Sequence, residues 1–303
     1  MRSVILILSV FLMFSFQSEA AMKAVVSVVP VKYLADKITG SRFENMAVVE
    51  KGASPATYEP KPKQMVFVSE SVLYFSVGVP FEQAWLKRLV SAGKNIKLVN
   101  LAESVQLYPI SGEIIEDHDE HEEDGDHDHE EGERHHDHGG LDPHIWLSPA
   151  NMKLMAKTMA SEFSKADPAG KEVYEKNLAS LLKEIDNTDA KIKENLKKVS
   201  RDAPFMVFHP SWGYFAREYN LHQVAIEVEG KEPKPAVLAH LIEEAKERGV
   251  RVVFVQPQFS TRSAETIATA LGGMVVPIDP LEYEWSANLI HVSEIFSEVL
   301  KNK

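Results

Sequence analysis

The sequence predicts an α/β protein of two lobes, each a mainly parallel sheet flanked by helices, joined by one long rigid helix. Three observations carry this. Short apolar, β-rich runs alternate with helical stretches in both halves of the chain. Between the halves, residues 168–199 keep a single helical period. And a chain of 303 residues exceeds one usual domain, so two lobes are the natural expectation.

The elements follow in order. Ala24 to Val29 and Ala47 to Val49 read as strands around a helical stretch from Val31 to Thr39. Ser71 to Val77 and Ile96 to Val99 then flank a helix from Phe81 to Ala92. A further helix starts at Pro149, with Ser148 as its N-cap and proline in the first helical position. In the long helix, Val173, Leu178, Leu181, Leu182, Ile185, Ile192, Leu196 and Val199 recur at steps that mark one face, with a break at Thr188 and Asp189. At 1.5 Å per residue this is a rod of roughly 45 Å, long enough to cross both lobes. The second half resumes with strands at Phe205 to Phe208, Val224 to Val228, Val250 to Val255 and Met274 to Ile278. Helices are expected at Trp212 to Tyr219, Ala236 to Arg248, Ser263 to Leu271 and Ala287 to Leu300. Continuous apolar runs such as Val252 to Val255 suit parallel strands buried on both faces. The expected divisions are a leader at 1–20, an N-terminal lobe at 21–147, a helical region at 148–200 and a C-terminal lobe at 201–303.

One segment has a composition no core could use. From Glu116 to His138 the chain carries seven of its twelve histidines: His118, His121, His127, His129, His135, His136 and His138. Thirteen acidic residues and one base, Arg134, give the run a charge of −12, which equals the formal charge of the whole chain. Acidity alone would describe a solvated loop. Imidazole mixed with carboxylate is instead the ligand set that suits zinc and its divalent neighbours, and the run has no spacing that defines a single site.

The first twenty residues show a basic start at Arg2, an apolar stretch from Val4 to Phe16 and a small-x-small ending at Ser18, Glu19 and Ala20. This is the layout of a cleavable secretory signal, too short to span a bilayer. The chain has no cysteine. Disulfides, thiolate zinc sites, a cysteine nucleophile and a lipidated cysteine are therefore excluded. The expected location is the periplasm, with no direct membrane insertion.

Ligands of such folds collect beyond the carboxyl ends of the strands. His209 directly follows the strand ending at Phe208, Asp279 follows the one ending at Ile278, and His144 stands between the charged run and the helix at Pro149. Each alone could be a surface or turn residue. Together, two imidazoles and a carboxylate suit zinc. His222, His240 and His291 lie in or beside regular elements and read as structural.

The stretches Asp142-Pro143-His144-Ile145-Trp146-Leu147, His209-Pro210-Ser211-Trp212-Gly213-Tyr214-Phe215, Glu229-Gly230-Lys231-Glu232-Pro233 and Ile278-Asp279-Pro280-Leu281 resemble those of the zinc-binding solute-binding proteins of ABC importers, the zinc uptake protein A type. The resemblance covers nearly the whole chain after the leader. It implies two α/β lobes joined by a long helix, Zn2+ held between them by His144, His209 and Asp279, and an ABC permease in the inner membrane as partner. The family usually places a further histidine in the first lobe. In this chain the matching stretch, Gly52 to Pro60, has Ala56 there, and a methyl group coordinates nothing. Water, Glu59 or a histidine of the charged run are the candidates to complete the site, with Glu59 the least favoured. Manganese-preferring relatives tend to carry a carboxylate where His209 stands, so imidazole there points to zinc.

The function expected is therefore capture of Zn2+ and its delivery to a permease by a monomer that binds no nucleic acid. Two alternatives stand beside it. One is a zinc buffer acting mainly through residues 116–138. The other is a secreted zinc hydrolase, although no His-Glu-x-x-His helix appears.

Overall fold

The computed structural model describes residues 21–93, 95–110, 140–227 and 233–301. The leader and the charged run with its seven histidines lie outside these residues, as do Glu229 to Glu232.

Eight strands form two sheets of four, parallel throughout. The first holds β1 (Met22–Val26), β2 (Phe43–Ala47), β3 (Leu73–Ser76) and β4 (Lys97–Asn100), in the order β2-β1-β3-β4. The second repeats the plan with β5 (Ala203–Val207), β6 (Leu221–Ala225), β7 (Val252–Val255) and β8 (Met274–Pro277), in the order β6-β5-β7-β8. Each order reverses direction beside its first strand, and a crevice opens at the carboxyl ends of such strands.

The strands expected at Ala47 to Val49 and Val224 to Val228 begin earlier, at Phe43 and Leu221. Both are edge strands that read by alternation rather than as apolar runs. On β2, Phe43 and Asn45 are buried around exposed Glu44. Asn45 Nδ2 donates to Asp36 Oδ1 at 3.0 Å and to Thr39 Oγ1 at 2.9 Å. On β6, buried Gln223 accepts from the Trp212 backbone N–H at 2.8 Å.

Around the sheets lie α1 (Val29–Thr39), α2 (Pro62–Ser69), α3 (Pro80–Ala92), α4 (Pro149–Ala166), α5 (Lys171–Leu196), α6 (Gly213–Tyr219), α7 (Pro235–Glu247), α8 (Arg262–Ala270) and α9 (Trp285–Val299). Ser148 caps α4 as expected, accepting from the Asn151 N–H at 3.1 Å. Helix α2 has no counterpart in the sequence reading. It is short, and Val66 in its middle is exposed, so its apolar face is only partial.

The rod is α5. It starts at Lys171, because Pro168–Gly170 form a separate 3-10 turn. A Cβ on Gly170 would stand 2.4 Å from Arg42 Nε and 2.5 Å from Asp167 Oδ2, so only glycine passes beneath that ion pair. Its 26 residues span about 39 Å. The buried face is Tyr174, Leu181, Ile185, Thr188, Ile192 and Leu196. Thr188 is therefore no break: its hydroxyl donates to the Glu184 carbonyl at 3.0 Å and the side chain stays in the core. Val173 faces solvent, and Tyr174 takes the position the spacing assigned to it.

Helices α1, α4 and α9 pack against this rod, and one continuous core runs along it through both lobes. A second core lies on the other face of the C-terminal sheet. Strand β5 divides between them: Phe205 and Val207 join the rod-side core, while Met206 and Phe208 meet α7 and α8.

Candidate metal centre

Parallel register assembles the site. Val207 on β5 pairs with Ala225 on β6 and with Phe254 on β7. Two residues further along each strand stand His209, Glu227 and Gln256. Gln256 holds the His209 backbone from both sides, its Oε1 accepting from His209 N at 3.1 Å and its Nε2 donating to His209 O at 2.7 Å. Glu227 Oε1 lies 2.6 Å from His209 Nδ1. Phe259 stacks on the His209 ring at 4.9 Å. The imidazole is thus fixed at its backbone, at one nitrogen and over one face.

His144 is fixed in a similar way. Asp142 Oδ1 accepts from the His144 N–H at 2.9 Å and lies 2.7 Å from its Nδ1. The segment that follows is pinned to the C-terminal lobe. Trp146 Nε1 donates to Pro280 O at 2.7 Å, Trp285 Nε1 donates to Trp146 O at 2.8 Å, and the Tyr214 hydroxyl reaches Asp142 O at 3.2 Å. Both tryptophans are fully buried.

The two rings meet edge to face, with Nε2 of His144 and Nε2 of His209 3.3 Å apart. A carboxylate can only accept, so each Nδ1 carries the proton and each Nε2 presents a lone pair. Two facing lone pairs do not make a hydrogen bond. Their spacing fits a shared cation: two nitrogens bound tetrahedrally to one zinc at about 2.0–2.1 Å would lie about 3.3–3.4 Å apart. Histidines backed by carboxylates are the usual metal-ligand arrangement, since the carboxylate sets tautomer and ring orientation. Burial pushes the His144 imidazole below its ordinary pKa, against the opposing pull of Asp142, which keeps it in the neutral form that a metal needs.

Asp279 follows β8. Its Oδ1 accepts from the Leu281 N–H and from Gln258 Nε2, each at 2.9 Å. Its backbone carbonyl accepts from Asn288 Nδ2 at 2.7 Å. The structure brings His144 and His209 together; among the described residues no group of three His, Asp or Glu side chains stands close enough to enclose an ion. Asp279 is not among the lining residues of the cavity that holds both histidines, but its hydrogen-bond partner Gln258 is. That cavity, of about 190 Å3, takes Ala56 and Gly78 from the first lobe and Gln258 and Phe259 from the second. Glu59 is exposed and is not among its lining residues. His222 lies against Arg248 at 3.0 Å, His291 near Glu294 at 4.0 Å, and His240 is exposed, so none of these three reaches the cavity.

The sequence reading assigned no role to Asp142, Glu227, Gln258 or Phe259. A signal existed for Glu227, the one carboxylate closing the apolar run Val224-Ala225-Ile226. Its Oε2 is buried and has no hydrogen-bond partner among the described residues.

Residues 24–292 match the family described as ZnuA, zinc-uptake complex component A periplasmic. The high-affinity zinc uptake system protein ZnuA of Bacillus subtilis is 31% identical over 240 residues, 78% of this chain and 70% of that protein. The zinc-binding lipoprotein AdcA of Streptococcus pneumoniae is 27% identical over 270 residues, 88% of this chain but 51% of its own length, so the chain spans about half of that relative. A crystal structure of ZnuA superposes with a TM-score of 0.81 at 36% identity, covering 93% of this chain and all of that one. The hydrolase alternative falls with these relatives, which are solute-binding proteins. The chain belongs to the periplasmic zinc-uptake complex component A family, a family of solute-binding proteins and not of enzymes.

Proposed function

We propose that this protein captures Zn2+ in the cleft between its lobes, with His144, His209 and Asp279 as ligands, and delivers it to an ABC-type permease of the inner membrane. One observation carries the reading: two carboxylate-backed imidazoles, His144 buried and His209 partly buried, whose Nε2 atoms face each other at 3.3 Å. Nitrogen donors suit zinc better than manganese. The family match and the zinc-binding names of its relatives point the same way. Among the described residues no helix is long and apolar enough to cross a membrane, and the leader at 1–20 supports export to the periplasm with cleavage. The protein acts as a monomer, its N-terminal lobe (21–147) and C-terminal lobe (201–303) connected by the helical region at 148–200, where the long rod limits the motion of one lobe against the other.

The charged run at 116–138 acts as an accessory that gathers zinc near the cleft. Its histidines offer many interchangeable ligands, and with Ala56 in the first lobe one of them can complete the cleft coordination.

Calorimetric zinc titration of the protein with and without residues 116–138 tests both statements. One tight site that survives the deletion and is lost in His209→Ala supports capture in the cleft. Loss of all binding with the deletion makes the protein a zinc buffer and overturns the reading.

A further inference from the structure

Gln258 follows β7, the strand next to β5 at the point where the sheet order reverses, and lines the cavity with His144 and His209. Its side chain is oriented by Asp279. An ionised carboxylate accepts and cannot donate, so the amide nitrogen must face Asp279 Oδ1, where it donates at 2.9 Å. The amide oxygen then faces away from Asp279. That oxygen, Oε1, is buried and has no hydrogen-bond partner among the described residues. A buried carbonyl without a donor is unfavourable unless a cation or another partner satisfies it.

Resting on the capture reading above, we propose that Gln258 Oε1 is an oxygen ligand of the captured cation, and that it widens the range of metals the site accepts. Two histidines and Asp279 supply three donors, one short of the four that zinc takes. Ala56 supplies none. The other buried oxygen without a partner near the site, Glu227 Oε2, belongs to the carboxylate behind His209, on the Nδ1 side of the ring and across it from Nε2. Gln258 stands instead on the cavity side. Its carbonyl is neutral, so it adds an oxygen donor without adding charge. A second oxygen beside the Asp279 carboxylate shifts the donor set toward what manganese prefers, while the two imidazoles hold zinc.

The test uses the full chain, with Co2+ as spectroscopic probe and Zn2+ and Mn2+ for affinity. The cleft signal is the Co2+ absorbance that His209→Ala abolishes. In Gln258→Met, and in Gln258→Ala as a second folded variant, that d–d spectrum changes shape. Mn2+ affinity falls by at least about tenfold, and Zn2+ affinity falls less. An unchanged Co2+ spectrum overturns the proposal: with weaker binding, Gln258 only holds Asp279; with equal binding, it does neither. Failure of the capture reading is a different result, namely a wild-type protein with no Co2+ signal that depends on His209, and it overturns both.

Discussion

Replacing Glu227 with glutamine should weaken zinc binding while strengthening the metal-free fold. Glu227 is almost fully buried, with Oε1 2.6 Å from His209 Nδ1 and Oε2 without a partner among the described residues. The carboxylate admits one tautomer of His209, the one whose Nε2 lone pair faces His144. A carboxamide can accept or donate. When it donates to Nδ1, the ring proton moves to Nε2 and blocks the metal. Loss of such a supporting carboxylate lowers metal affinity about 10–100-fold, or about 1.4–2.7 kcal/mol. The metal-free protein should change in the opposite direction. A buried charged oxygen becomes a neutral group, which relieves about 1 kcal/mol of desolvation and raises Tm by roughly 2–4 °C. Competition titration against a chelator at pH 7.5 gives the first number, and thermal unfolding in chelator gives the second. A folded Glu227→Gln protein with wild-type zinc affinity would refute the tautomer argument. A lower metal-free Tm would show that the ionised carboxylate contributes net stability through His209.

Three further perturbations separate site from scaffold. Ala56→His places an imidazole on the first-lobe wall of the cavity and should tighten zinc binding by at least about tenfold, read by the same competition titration. Phe163→Ala empties a fully buried position packed on Phe43 at 4.8 Å and Phe75 at 5.2 Å; it should cost about 3–5 kcal/mol in denaturant unfolding and leave zinc affinity unchanged. Arg42 donates to Asp167 at 2.6 Å, and the guanidinium, with the Tyr174 hydroxyl, holds the Asp167 carboxyl below its ordinary range. A depressed carboxyl pKa contributes stability above the unfolded value of about 3.9, and that stability is lost as pH falls through the lower folded value. Arg42→Met should therefore be less stable than wild type at pH 7, with the gap closing below about pH 4 in thermal unfolding.

What could be read from the sequence was whatever depends on near neighbours. Alternation of apolar runs located six of the eight strands closely, and the two that shifted, β2 and β6, are edges carrying Glu44, Asn45, His222 and Gln223. The rod was visible from its period. Its start lies three residues later than the period places it, because Gly170, a local signal beside Pro168, closes a 3-10 turn packed on Asp167 and Tyr174 as well as on Arg42. The same division runs through the site. His144 and His209, which the structure brings together, stand out because each abuts an element; Asp279 stands out for the same reason but is not a lining residue of their cavity. Glu227, Gln256 and Gln258 act through strand register, and register becomes visible only once β5, β6, β7 and β8 are laid side by side. The Trp146 to Pro280 and Trp285 to Trp146 bonds, which tie the His144 segment to the second lobe, link residues more than 130 positions apart and leave no local trace.

Pro109 bridges to Leu141, with Ile110 N donating to Gly140 O at 3.2 Å and Asp142 N to Tyr108 O at 2.8 Å. Ile110, Gly140 and Leu141 also line the cavity. Ile110 and Gly140, the described residues that flank 111–139, therefore meet at the wall of the cavity. A ligand carried by residues 111–139 would be confined near the cavity by chain connectivity, at an effective concentration on the order of millimolar.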